Sequence, residues 1–344
     1  MSNPINFLYI FEGGAFIFFF LILARKIYQK NYSKLFEIIS CSIFGMILEI
    51  ANIYFSHNYS YSQNFLISIA GVPLAIGLGW GVIIYSAMLL SDQYNIPWKI
   101  RPFMDALTAV VLDIAIDPVA IRLGFWNWKM PLGNEWYGVP FENLAGWIFV
   151  TLSFSFVIRF IRTLNYKRFF TKLLMIFSPI ISYVLSMLGL FIFSIIAIIP
   201  YQINDWKSIF SLIYNPPNLS ILYNPHVQLW KLIILIIILT EFVHIVAFNI
   251  IKYRKNYLKN FDIVSFISLT GIHLIFLTAL ISTNLYIELP ILLVISIIAL
   301  SIHLLLHLLP YIINRKTIYF FNIVKEVAEK DESKLNTIIN STFK

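Results

Sequence analysis

The sequence predicts an all-α fold, a polytopic integral membrane helix bundle with about nine transmembrane helices, and three observations carry that prediction. Hydrophobic residues make up 59% of the 344-residue chain and charged residues 12%, where a soluble domain carries about 25% charged. Several apolar runs reach the roughly 20 residues a helix needs to cross a bilayer. Lys and Arg gather in short clusters between those runs, as topology signals do. The net charge of +8 therefore reads as membrane orientation and not as a nucleic-acid surface.

In chain order the predicted spans are residues 5–24, 35–56, 69–91, 102–121, 143–160, 173–199, 228–250, 263–284 and 290–313. With the N-terminus outside, every Lys and Arg except Arg122, Lys129, Lys207 and Lys231 falls on the inner side. The positive-inside rule then makes the C-terminus cytoplasmic. The first apolar stretch lacks a basic segment before it and is followed by Arg25 and Lys26, so it reads as a retained span and not a cleaved leader. Cys41 is the only cysteine and lies inside an apolar run, which excludes a disulfide framework and a thiolate metal site. Two outer loops stand out by length, 122–142 and 200–227, the second marked by Pro and Asn. The tail 314–344 is charged and reads as a surface helix, and no internal repeat is evident.

Ionisable groups inside spans are costly and mark sites or internal pairs. Glu37 and Asp105 lie within a turn of the inner surface and are expected to reach water. Glu49, Asp113 and Asp117 differ. Counting 1.5 Å per residue places Glu49 roughly 21 Å, Asp113 roughly 17 Å and Asp117 roughly 23 Å from the inner end, so three carboxyls share one outer layer. Asp113 and Asp117, four apart, lie on one helix face. Glu12 is expected close enough to join them. Crowded carboxyls in a low dielectric cannot all ionise, which suits proton transfer. The alternative is structural: Asp117 ends its helix before Pro118, and Asp113 bonds a neighbour.

After Asp117 come Phe125, Trp126, Trp128, Trp136, Tyr137 and Trp147, either an interfacial aromatic belt or a cap whose π-faces stabilise a cation. Gly133, Gly138 and Pro140 suit a folded-back loop. Farther on, Glu241 with His244 and His303 with His307 have spacings that allow a metal site, with His273 on the span between. Such histidines also bond across helices without metal.

LDIAIDPVAIRLGFWNW (112–128) followed by WYGVPFENLAGW (136–147) resembles the carotenoid-biosynthesis membrane proteins of the carotenoid hydratase family, which includes bisanhydrobacterioruberin and γ-carotene hydratases. GVPLAIGLGWGVIIYSA (71–87) and GMILE (45–49) agree with it. Where the family tends to carry a Gly-rich stretch between those two blocks, this chain has YFSHNYSYSQNF (54–65). The resemblance covers about residues 35–200. It divides the chain into a hydratase-like membrane domain (1–200), an additional three-helix region (201–313) and the tail (314–344).

The resemblance implies an integral membrane hydratase that needs no cofactor and no metal. It protonates a terminal C=C of a carotenoid or related isoprenoid to a tertiary cation and adds water. Asp113 and Asp117 would be the proton donor and the water-activating group, in an order left open, with Glu49 facing them. Trp80, Trp126, Trp128, Tyr137 and Trp147 would line the substrate pocket and Asn143 would orient water or an acid. Pro73, Pro118, Gly138 and Pro140 would shape the motifs. The implied partners are a carotenoid or polyprenyl lipid, membrane lipid and other carotenoid-pathway enzymes, with no nucleic acid, in the cell membrane. Two alternatives stay open: a cyclase- or isomerase-like enzyme sharing the protonation step, and a non-enzymatic isoprenoid binder or transporter.

Overall fold

In a computed structural model the described residues are 4–55, 59–164, 169–202, 225–253, 261–310 and 312. Nine long helices form: α1 (Pro4–Tyr28), α2 (Tyr32–Phe55), α3 (Leu74–Asp92), α4 (Arg101–Arg122), α5 (Phe141–Arg162), α6 (Phe169–Gln202), α7 (Pro225–Lys252), α8 (Ile263–Ser282) and α10 (Pro290–Pro310). A four-residue turn of helix, α9 (Leu285–Glu288), joins the last two. Eight of the long helices are apolar and long enough to cross a membrane. The other, α4, has the length but carries Asp105, Asp113, Asp117, Arg101 and Arg122. All nine predicted spans are present as helices. The 200–227 loop falls largely, and the 314–344 tail entirely, outside the described residues.

The third span starts later than its apolar run indicated. Residues 68–73 make a hairpin of β2 (Ser68–Ile69) and β3 (Val72–Pro73), turned by Ala70 and Gly71 at φ 50° and 77°. Two positive φ values in a two-residue loop match the right-handed twist of the strands. Pro73 then begins α3 with extended backbone. A second pairing joins β1 (Ser60–Tyr61) to β4 (Trp126–Asn127), antiparallel, with Tyr61 opposite Trp126.

Helix α3 is the axis of the bundle, packed against α1, α2, α4 and α8 and almost wholly buried. Its seam with α2 is close because Gly77 meets Met46, Gly81 meets Ser42, and Gly45 of α2 leaves room for Trp80. A Cβ on Gly45 would sit 2.4 Å from that of Trp80. Helices α8 and α10 are bolted to the same core. The His303 Nε2–H donates to the Thr108 carbonyl of α4 at 2.9 Å, and His273 is hydrogen bonded to His303 Nδ1 at 2.6 Å.

At the Lys/Arg-rich end, Glu37 and Asp105 do not reach water as their positions suggested; both are fully buried in an ion-pair network. Arg162 Nη2 holds Glu37 at 2.6 Å, Arg159 Nη2 holds Asp105 at 2.9 Å, and Arg159 and Arg162 share Asp92. Helix-end arginines therefore turn inward here, because three carboxylates from α2, α3 and α4 meet there. A buried charge is stable only with a partner this close.

Candidate active site

At the opposite end a cavity of about 450 Å³ opens among α2, α3, α4, α5 and α6. Glu49, Trp80, Asp113, Asp117, Trp126, Trp128, Asn143 and Trp147 all line it. The one-layer arrangement of acids read from helix rise is thus found around a single cavity.

The local geometry explains the DPV motif. Helix α4 does not end at Asp117 but continues to Arg122. Pro118 has no N–H, so the carbonyl one turn earlier, Ile114, has no helical donor. The indole N–H of Trp136 takes that carbonyl at 3.0 Å, pinning the loop over the helix. Arg122 completes the clasp by donating to the Pro118, Tyr137 and Leu132 carbonyls at 3.0, 2.8 and 3.2 Å. Gly138 lies at φ 91°, and a Cβ there would come within 2.9 Å of the Leu132 backbone, so the turn requires glycine. Tyr137 serves this loop through its backbone and its ring against Trp136; it does not line the cavity. Pro140 starts α5 as Pro73 starts α3.

Asp113 and Asp117, 1% and 2% exposed, are bridged by one amide. Asn143 Nδ2 donates to Asp117 Oδ2 at 2.6 Å and to Asp113 Oδ2 at 3.1 Å. The indoles of Trp126 and Trp128 both donate to Asp117 Oδ1, the second at 3.5 Å. Asp113 Oδ1 has no hydrogen-bond partner among the described residues. Across the cavity Glu49 accepts from Tyr59 and Tyr61 on Oε2, the latter at 2.7 Å, and from Trp80 Nε1 on Oε1 at 2.7 Å. Burial, with Glu49 alongside, pushes both phenols above the ordinary tyrosine value. Trp80 and Trp147 pack with ring centroids 4.2 Å apart and planes tilted by 34°, and the Tyr59 ring lies 4.6 Å from that of Trp128.

Glu12 does not join these acids. It accepts the Leu66 N–H at 3.0 Å and that of Ile67 at 3.4 Å, anchoring the loop before the hairpin. Nor do the C-terminal polar residues converge on a metal. Glu241 and His244 are exposed on α7, while His303 and His307 are buried on α10. Among the described residues no group of three ligand side chains forms.

A duplication that a reading of the sequence overlooks emerges from the site. GVPLAIGLGW (71–80) and GVPFENLAGW (138–147) share the frame GVP, five residues, GW. Each frame starts a spanning helix, and the two closing tryptophans are the pair that packs ring against ring. At the same constant offset Tyr59 matches Trp126 and Tyr61 matches Trp128, with Glu49 and Asp117 one residue off it. In each half, two aromatics in or beside the short strand donate to one carboxylate oxygen and the following helix donates to the other. The antiparallel pairing of β1 with β4 is what two copies related by a local two-fold produce. At the same offset, Asp113 matches Met46 and Asn143 matches Ile76, so the first half has no carboxyl–amide pair. Tyr59 and Tyr61 were the cavity-lining residues missed, and their spacing of two, in line with β1, was the available signal.

Over 61 residues the chain is 34% identical to the bisanhydrobacterioruberin hydratase of Haloarcula japonica, a match covering 18% of this chain and 20% of that protein. No solved structure matches. A family model described as carotenoid biosynthesis protein matches residues 6–204, from α1 through α6 and so across every cavity-lining residue. The chain is a multi-pass membrane member of the carotenoid biosynthesis protein family.

Proposed function

We propose that this protein is a hydratase that adds water to a terminal trisubstituted C=C of a carotenoid or related isoprenoid. The observation that carries the reading is the unequal solvation of the cavity carboxyls. Asp117 and Glu49 use both oxygens as acceptors, each facing three N–H or O–H donors, which is the pattern of a carboxylate. Among the described residues Asp113 accepts only from the Asn143 amide, on Oδ2, and is in no ion pair, so Oδ1 is the place for a proton. Asp113 is also the acid that the duplicated half lacks.

In the proposed reaction Asp113 gives its proton to the less substituted alkene carbon, leaving a tertiary cation and an Asp113 carboxylate. The Trp80 and Trp147 faces and the nearby carboxylates offset the positive charge. Water held beside Asp117 adds its oxygen to the cation, and its proton passes to Asp117. That proton then returns to Asp113 across the pair, so one water is consumed and a tertiary alcohol leaves. In this reading the acid-bearing end is the outer one, the orientation that the Lys/Arg distribution favours, and the cavity faces the outer leaflet. The hydratase name of the archaeal relative supports the same chemistry. Water capture is favoured over ring closure because the walls carry Asn52, Tyr59, Tyr61 and Asn143, which hold water, where a cyclase needs a dry pocket.

The test is expression in a host that makes acyclic carotenoids, with mass spectrometry of the extracted pigments. The native chain should give products heavier by one water, and Asp113→Asn and Asp117→Asn should each lose them at equal protein level. Native-like product from both variants rejects the assignment.

A further inference from the structure

The shape of the cavity carries an inference about how substrate enters, which rests on the reading above. Leu190 of α6 also lines the cavity, and on α3, α4 and α5 the lining residues farthest from the cavity-side helix ends are Ile83, Asp113 and Val150. Each lies nine residues from the cavity-side end of its helix, about 14 Å down at 1.5 Å per residue. One turn farther, Phe44 of α2 and Phe154 of α5 are fully buried and stack at 5.3 Å. Neither lines the cavity, and beneath them lies the Arg159–Asp105 ion pair. The cavity therefore ends on an aromatic floor between α2 and α5, with Asp113 the lowest of its three carboxyls.

Its width has a distinct origin. Gly79 and Gly146, equivalent positions in the duplicated frame, both line the cavity, and a Cβ on either would meet nothing within 4 Å. Gly45, Gly77 and Gly81 are different, since side chains of neighbouring helices fill their space. A helix-interior glycine costs about 1 kcal/mol relative to alanine, and at 79 and 146 no protein contact compensates. What those positions keep is open volume, beside the packed rings of Trp80 and Trp147.

We propose that the cavity admits one terminus of an acyclic isoprenoid end-on, down to the Phe44–Phe154 floor, with Gly79 and Gly146 setting the bore. The terminal isopropylidene group then meets Asp113 at the bottom, while the rest of the chain stays outside the cavity. A molecule with two reactive ends must leave and re-enter to react twice.

The experiment uses the full chain in lipid nanodiscs and an acyclic carotenoid with an isopropylidene group at each end. Quenching of tryptophan fluorescence reports binding, and a mass-resolved time course reports turnover. The singly hydrated product should accumulate first, and the doubly hydrated one should follow as starting material falls. A product series that stops after one water also counts in favour. Gly146→Leu should weaken quenching and turnover by about tenfold or more. Gly79→Ala and Gly146→Ala should slow turnover while leaving the thermal midpoint equal or higher. Doubly hydrated product appearing without the singly hydrated species, or native binding by Gly146→Leu, overturns the inference alone. A native chain that neither binds nor hydrates the carotenoid overturns the hydratase reading and this inference with it.

Discussion

Glu49 and Asp117 show how a single side chain acquires its character from its neighbours. Each is an acid in a spanning helix, and each has two aromatic donors on one oxygen and a helix-borne donor on the other. Asp113, four residues from Asp117, has only the Asn143 amide. Glu49→Gln keeps the size of the side chain and removes the charge that faces the developing cation. Initial rates at equal protein level should fall about 100-fold or more, and a native rate in that variant would remove Glu49 from the mechanism. Tyr61→Phe, which deletes one donor to a charged group, should cost about tenfold. Both phenols are held above the usual tyrosine range, so they stay protonated donors through pH about 10. Activity should therefore show no alkaline loss from tyrosine ionisation. At this scale the common depth of Glu49, Asp113 and Asp117 was legible from helix rise alone. The spacing of two between the phenols was visible as well, but nothing in it showed that both donate to Glu49.

Among the elements, the helix starts and the loop clasp hold the site together. Pro118 frees the Ile114 carbonyl within α4, and Trp136 occupies it, so a proline inside a helix becomes the anchor of a loop. Trp136→Phe should leave that buried carbonyl unpaired at a cost of about 1–3 kcal/mol. A lower unfolding midpoint, with faster proteolytic nicking between residues 122 and 140, is the expected result. An unchanged midpoint and cleavage rate would show that the clasp rests on Arg122 alone. All nine helices were legible as apolar runs, α4 included, because length and hydrophobicity decide spanning helices before any packing is known. The hairpin at 68–73 was not, since two-residue strands leave no alternating pattern to read. Arg159 and Arg162 were misleading for a related reason. A cation at a helix end reads as a topology signal, and only the meeting of Asp92, Asp105 and Glu37 turns those two inward.

The whole molecule consists of two helix–strand–helix units that share the GVP…GW frame, enclosed by α1, α6 and the C-terminal helices. The duplication was present in the sequence throughout, yet outside the ten-residue frame it preserves chemical role and not residue identity. Tyr stands for Trp and Glu for Asp, so only their hydrogen bonds show that they are counterparts. Asp113 and Asn143 break the symmetry, and the protonation chemistry is assigned to that break. An ion-pair network closes the Lys/Arg-rich end of the bundle, opposite the cavity.

In the proposed reaction a carboxylic acid in this cavity protonates an isoprenoid alkene and water captures the cation. Purified protein in nanodiscs, incubated with an acyclic carotenoid in water labelled with heavy oxygen, tests it most directly. The expected product is a tertiary alcohol that carries the label from solvent, with no labelled product from Asp113→Asn. Unlabelled alcohol, a cyclised product of unchanged mass, or label incorporation undiminished in Asp113→Asn would contradict it.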